Sequence, residues 1–299
     1  MIVDENRIKQ MKEERDAIII AHNYQLPEVQ RIADFVGDSL ELSKIAKDSK
    51  ASVIVFAGVR FMAETAKILS PEKKILLPVK SAGCPMADQI SAEDVRELRK
   101  AYPEAAFVAY VNTTAEVKAG VDICCTSSNA IKIVNSLNEK KIVFLPDKNL
   151  AYWVSLHSKK EIIPYDGFCY VHNRFGKEEV LKMREKYPDA EILVHPESPS
   201  DVIESADFIL STSGILKRAK ESNKKTFIIG TEFGLIYRLE KENPDKEFYS
   251  LGSPKICFNM KKTTQKDIFD SLLYNRYEII LSEEIIKKAK KSIERMFEI

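Results

Sequence analysis

The chain has 299 residues, 44% of them hydrophobic, and 46 basic against 45 acidic side chains leave a formal net charge of +1. Both signs are mixed along the chain, which excludes the basic stripe of a nucleic-acid or membrane-surface protein and leaves small-molecule chemistry open. The opening stretch MIVDENRIKQMKEERD has acidic residues and no apolar centre, so no secretory signal is expected, and no later run reaches the roughly 18 apolar residues of a membrane span.

A cytoplasmic protein is therefore expected, with neither nucleic acid nor membrane as partner. Taken in chain order, its predicted elements alternate. AIIIA (17–21), SVIVFA (52–57) and ILLPV (75–79) are short apolar runs of the kind buried in parallel sheets. Between them, PEVQRIADF places Pro27 at a first helical position, and DSLELSKIAK opens with Asp38 three residues before Glu41, the pattern of a capping box. AFVAYV, VDICC and IVFL repeat the strand rhythm, as do EILV, DFIL and TFII. The closing stretch, with LSEEIIKKAKKSIERMF, predicts helices that pack back on the first unit.

These sets are copies of one unit. A shift of 85 residues lays Cys84 on Cys169, Val95 on Val180, Arg99 on Arg184, Tyr102-Pro103 on Tyr187-Pro188 and Asp122 on Asp207 without a gap. A shift of 88 lays Asp34 on Asp122, Ser39 on Ser127 and Ile54-Val55-Phe56 on Ile142-Val143-Phe144. The expected fold class is α/β: three αβα sandwich domains with parallel sheets, related by pseudo-threefold symmetry around a central pocket. The expected units are 1–82, carrying the C-terminal helices 258–299, then 83–168 and 169–257.

Ligands of open parallel sheets bind outside the carboxyl ends of the strands. Three such ends facing one axis would line a shared pocket with His22 and Tyr24, Tyr110 and Asn112, His195 and Glu197. Ser39, Ser127 and Thr212 occupy equivalent positions at predicted helix starts, where free N–H groups suit phosphate or carboxylate. For any one hydroxyl simple capping is the plainer account, but capping does not explain the nearby histidines and glutamate.

Five cysteines without a C-x-x-C pair argue against a disulfide framework. Cys124 and Cys125 lie in a predicted strand as small core residues. Cys84, Cys169 and Cys257 follow the threefold spacing, so their sulfurs are expected to meet. Three thiolates could hold zinc or an iron–sulfur cluster. Zinc sites favour four ligands in close pairs, which leaves a [4Fe–4S] cluster with one open, Lewis-acidic iron as the better fit. The rivals are an iron–sulfur redox carrier or sensor and a zinc-stabilised binding protein.

AHNYQLPE (21–28), DFVGDS (34–39), FMAETAKIL (61–69), GCPMA (83–87), CTSSNA (125–130), PDKNL (146–150), HPE (195–197), STSG (211–214), GTE (230–232) and CFNMK (257–261) together resemble quinolinate synthase. The resemblance spans almost the whole chain. It implies condensation of iminoaspartate with dihydroxyacetone phosphate to quinolinate, phosphate and water in NAD biosynthesis, and transient contact with the iminoaspartate-producing enzyme. It implies a [4Fe–4S] cluster on Cys84, Cys169 and Cys257. Substrate would be bound by His22, Ser39, Tyr110, Asn112, Ser127, His195, Glu197, Ser211 and Thr212. Tyr24, His172, His195 and Glu197 would be catalytic, the first two and Glu197 moving protons. Ser198 follows HPE where many relatives would carry cysteine, and the long form's closely spaced C-terminal cysteines are absent. His157 reads as a surface residue, Trp153 as packing, and Arg60 as a partner of Glu64 outside the site.

Overall fold

A computed structural model describes residues 4–299; the first three residues of the opening stretch lie outside it. The first unit runs α1 (Glu5–Glu14), β1 (Ala17–His22), α2 (Pro27–Ile32), β2 (Phe35–Gly37), α3 (Ser39–Asp48), β3 (Val53–Ala57), α4 (Arg60–Leu69), β4 (Lys74–Leu76). The second repeats this as α5 (Ala92–Ala101), β5 (Ala106–Tyr110), α6 (Ala115–Ala119), β6 (Ile123–Cys125), α7 (Ala130–Ser136), β7 (Lys141–Leu145), α8 (Lys148–Ser155), β8 (Glu161–Pro164). The third is α9 (Lys177–Lys186), β9 (Glu191–Val194), α10 (Ser200–Ile203), β10 (Phe208–Ile209), α11 (Thr212–Glu221), β11 (Thr226–Gly230), α12 (Leu235–Glu242), β12 (Glu247–Ser250). Helices α13 (Gln265–Tyr274) and α14 (Glu283–Glu298) close the chain.

Three parallel four-stranded sheets result, ordered β2-β1-β3-β4, β6-β5-β7-β8 and β10-β9-β11-β12. The fold is α/β, with helices flanking each sheet, as the alternation predicts. Sequence reading finds three strands per unit. It misses β2, β8 and β12, which are short and more exposed than the strands beside them.

The repeated aspartates show why the register holds. Asp34, Asp122 and Asp207 each accept a backbone N–H from the first strand of their own unit, from Ile19 at 2.8 Å, Phe107 at 2.7 Å and Ile192 at 2.8 Å. Each also returns its own N–H to the carbonyl of that same residue. One side chain thus pins the turn into the second strand against the first. The central strands are buried on both faces, with Ile19, Ile20, Phe107, Val108, Ile192 and Leu193 all at 0% exposure. Each such side chain contributes about 1.5–3 kcal/mol. Asp38 caps α3 as expected, accepting from Leu40 and Glu41 while Glu41 accepts from Asp38 N.

The C-terminal helices are not confined to the first unit. Ile268 and Leu272 of α13 do pack with Ile8 and Met11 there. Helix α14 instead fills the seam between α4 and the second sheet's edge. Its Ala289, Ile293 and Met296 are buried among residues of both units, and Ser292 Oγ donates to the Lys118 carbonyl at 2.7 Å. Edge strand β6 would otherwise lack a cover, and α14 supplies it. Among the described residues no helix is long and apolar enough to cross a membrane.

Candidate active site

First strands carry the site because their carboxyl ends coincide. Ala21 pairs with Ala57, Ala109 with Leu145 and Val194 with Gly230, so the next residues, His22, Tyr110 and His195, emerge at equivalent points. They enter one cavity, which also receives Tyr24, Asn112 and Glu197. Ser39, Ser127, Thr212, His172 and the cysteines Cys84, Cys169 and Cys257 line it too. Ser211 does not. Its hydroxyl caps α11 by accepting from Gly214 N at 3.2 Å. Ser39 and Thr212 begin α3 and α11, whereas Ser127 sits in the turn before α7, whose start moves to Ala130 because Asn129 Oδ1 accepts from Thr126 N at 2.7 Å.

The three cysteines share a local structure. Each precedes a short 3-10 turn (Ala87–Gln89, His172–Arg174 and Met260–Lys262), and each cysteine carbonyl accepts the N–H four residues on. Backbone N–H groups favour the charged sulfurs: Met86 and Ala87 at Cys84, His172 at Cys169, Asn259 and Met260 at Cys257. Burial nonetheless dominates. It pushes Cys84 up to about 12, Cys169 well above the ordinary thiol value, and Cys257 upward. A bound metal group would supply the missing positive charge, and the N–H donors suit sulfur that carries charge. The donor set therefore fits a thiolate-bound metal group.

Two carboxylates that sequence reading passed over hold these loops. Asp147 Oδ2 accepts from Cys169 N at 3.1 Å and Glu232 Oε1 from Cys257 N at 3.0 Å. Both stand two residues past the strand register that ends at Leu145 and Gly230. Asp147 and Glu232 are related by the same shift of 85 that lays Cys84 on Cys169, whereas the equivalent position after β3 is Val59. Glu232 is paired in turn with Lys261 at 2.9 Å.

A hydrogen-bond chain crosses the cavity. Glu197 is held below the usual carboxylate range: burial opposes ionisation, and the hydrogen bonds from His172 and the Tyr110 hydroxyl outweigh it. Ionised, it can only accept. His172 Nδ1, 2.8 Å from Glu197 Oε2, is therefore the protonated nitrogen. His172 Nε2 lies 2.8 Å from Thr231 Oγ1, which lies 2.7 Å from Tyr24 Oη. Thr231 had given no sequence signal beyond its strand-end place. Cys169 Sγ lies 3.3 Å from His172 Nδ1, and Cys169, His172 and Glu197 offer ligand atoms all within 4.8 Å of one another, a group able to hold a metal ion.

His22 and His195 are neutral donors. Burial lowers both to about 3, with Lys261 adding to the shift at His22. Their Nδ1 atoms accept the N–H two residues on, from Tyr24 at 3.2 Å and Glu197 at 3.4 Å. That fixes the tautomer with Nε2–H free to donate. Burial also drives the Tyr24 and Tyr110 phenols well above their ordinary value, so both stay protonated. Among the described residues, Asn112 Oδ1 is buried without a partner. Away from the cavity, His157 is exposed, Trp153 lies against it at 4.0 Å, and Arg60 pairs with Glu64 at 2.8 Å.

The family model described as NadA, quinolinate synthetase A protein, matches residues 6–298. The chain belongs to the quinolinate synthetase A family. It is 52% identical to the quinolinate synthase of Alkaliphilus metalliredigens over 299 residues, 100% of this chain and 98% of that protein. It is 53% identical to that of Caldicellulosiruptor bescii over 294 residues, 98% of this chain and 97% of the relative. Quinolinate synthase 2 of Methanosarcina acetivorans is 52% identical over 292 residues, 98% of this chain and 94% of the relative. Quinolinate synthases are enzymes, and this family member is one.

Proposed function

We propose that the chain condenses iminoaspartate with dihydroxyacetone phosphate to quinolinate, phosphate and water in NAD biosynthesis, acting in the cytoplasm and drawing iminoaspartate from the enzyme that forms it. The observation that carries this reading is the presence of three cysteines, each following the last strand of one strand-and-helix unit, in one cavity with the chain from Tyr24 to Glu197. We assign Cys84, Cys169 and Cys257 to a [4Fe–4S] cluster. Bound, it would supply one iron without a protein ligand, a Lewis acid for a substrate carboxylate and hydroxyl.

The chain's own residues do the rest. Free N–H groups and hydroxyls at Ser39 and Thr212, with the Ser127 turn, receive phosphate. The Nε2–H groups of His22 and His195 donate to carboxylates without adding charge. Glu197, ionised and buried, takes a proton from substrate carbon. Tyr24 is too weak an acid to act as a free phenolate, so it moves protons through Thr231 and His172. Asn112, with its unpartnered carboxamide oxygen, takes a donor of the substrate. An anaerobic assay, with iminoaspartate generated in place and the triose phosphate added, should yield quinolinate only after iron and sulfide reconstitution. No product from fully reconstituted protein would end the assignment.

A further inference from the structure

One buried polar connection has no part in that scheme. Asn23, between His22 and Tyr24, has 0% exposure and does not line the cavity. Its carboxamide bridges two elements of the third unit. Arg238 Nη1 on α12 donates to Asn23 Oδ1 at 2.7 Å, and Asn23 Nδ2 donates to Thr212 Oγ1 at 3.1 Å. Arg238 is itself fixed by the Val36 carbonyl at 2.9 Å and by Glu242 at 2.6 Å.

The direction of this chain is forced. A guanidinium only donates, so the amide oxygen must face Arg238. The amide nitrogen then faces Thr212, whose oxygen must accept. Among the described residues Thr212 Oγ1 makes no other hydrogen bond, so its proton is left for the cavity that Thr212 lines. A free hydroxyl can turn either a proton or a lone pair to a ligand, and an anion is stabilised only by the proton.

We propose that Asn23, held by Arg238, is a positioning residue that makes Thr212 a hydrogen-bond donor to the phosphate of the substrate. The inference rests on the phosphate placement given above. Because Asn23 and Val36 belong to the first unit and Arg238 and Thr212 to the third, the hydroxyl is set only while these two units are in contact.

Asn23→Asp tests it. The substitution keeps the shape and the Arg238 bond, but a carboxylate cannot donate. Thr212 must then give its proton to Asp and turn lone pairs toward the anion. On the full-length, cluster-loaded protein, calorimetric titration with inorganic phosphate should show Kd weakened about tenfold or more, with a matching rise in KM for the triose phosphate. Affinity for iminoaspartate and the cluster's visible spectrum should stay in place. New negative charge could repel phosphate by itself, so the same change is made in a Thr212→Val background, where no hydroxyl can reverse. There it should cost less than about threefold. Arg238→Met, which frees the carboxamide to rotate, should weaken phosphate by a smaller factor, and Arg238→Lys should restore it. Equal losses in both Thr212 backgrounds would reduce the effect to charge and overturn the proposal. So would a Kd that neither Asn23→Asp nor Arg238→Met moves, or wild-type protein without affinity for phosphate. Should the wild type bind phosphate and show these shifts yet form no quinolinate, the reaction assignment falls and the positioning role stands.

Discussion

Tyr110 Oη donates to Glu197 Oε1 at 2.6 Å, joining the end of β5 to the loop that follows β9. The other oxygen of that carboxylate receives His172 Nδ1 at 2.8 Å. Two units thus hold one charge that burial alone would expel. Tyr110→Phe removes one of its partners. A carboxylate whose folded pKa is depressed adds stability above its unfolded value of about 4.3, and that stability is lost as pH falls through the folded value. The variant should therefore lose about 1–2 kcal/mol at neutral pH, read from denaturant midpoints. The acid limb of its kcat/KM profile should move to higher pH. An unmoved limb would show that Glu197 protonation does not govern the reaction.

Replacing Cys84, Cys169 or Cys257 with Ser should abolish iron retention, as judged by iron per chain and visible absorption. Cys124→Ala and Cys125→Ala should keep the iron and lose only stability, about 1–2 kcal/mol each, since both sulfurs are fully buried in β6. Loss of iron in either alanine variant would contradict the division of the five cysteines.

In the iron-free protein the three cavity thiols should be unreactive. Burial raises all three, Cys84 to about 12, so little thiolate exists at neutral pH. Alkylation of the iron-free protein should climb with pH beyond the range of an ordinary thiol. Rapid labelling at pH 7 would refute this.

Asp147→Asn and Glu232→Gln should loosen the loops of Cys169 and Cys257. Asp147 also accepts from Leu150 N at 2.7 Å, so an amide there presents an N–H₂ to one of two N–H donors. Iron in the reconstituted variants should be about tenfold or more easier to remove by a chelator, while thermal midpoints of the iron-free proteins change little by comparison.

Lys118 is fully buried, donates to the Thr113 carbonyl, and is lowered to about 8 by burial. Its unfolded value is about 10.4. Between those two values the unfolded chain binds more protons, so stability rises with pH through that window. Lys118→Met should abolish the rise and stabilise the protein at neutral pH by about 1–2 kcal/mol, the gain being reduced by the Thr113 carbonyl left behind. A pH titration of unfolding midpoints decides it.

The repeat made much of this architecture readable. Where Asp34, Asp122 and Asp207 each bind their first strand, one constraint acted three times and left an alignable trace. The strand-end ring from His22 to Glu197 followed from the same register. Edge strands β2, β8 and β12 left none, because short and partly exposed segments lack the unbroken apolar run that marks a buried strand. Ser211 and Ser127 differ in use through local capping and turn bonds that a hydroxyl's position alone does not disclose. Asn23 and Thr231 act through partners about 190 and 60 residues distant in the chain, respectively. Lys118 sat unnoticed because a lysine in so short a helix gives no hint of complete burial.

The cavity is bounded by residues from His22 to Met260. A chain emerging from the ribosome would therefore carry two of the three thiols for a long stretch of synthesis with nothing enclosing them. Closure of the cavity must wait for the final third, and the intermediate with Cys84 and Cys169 uncovered is the form most open to oxidation or to capture of stray metal.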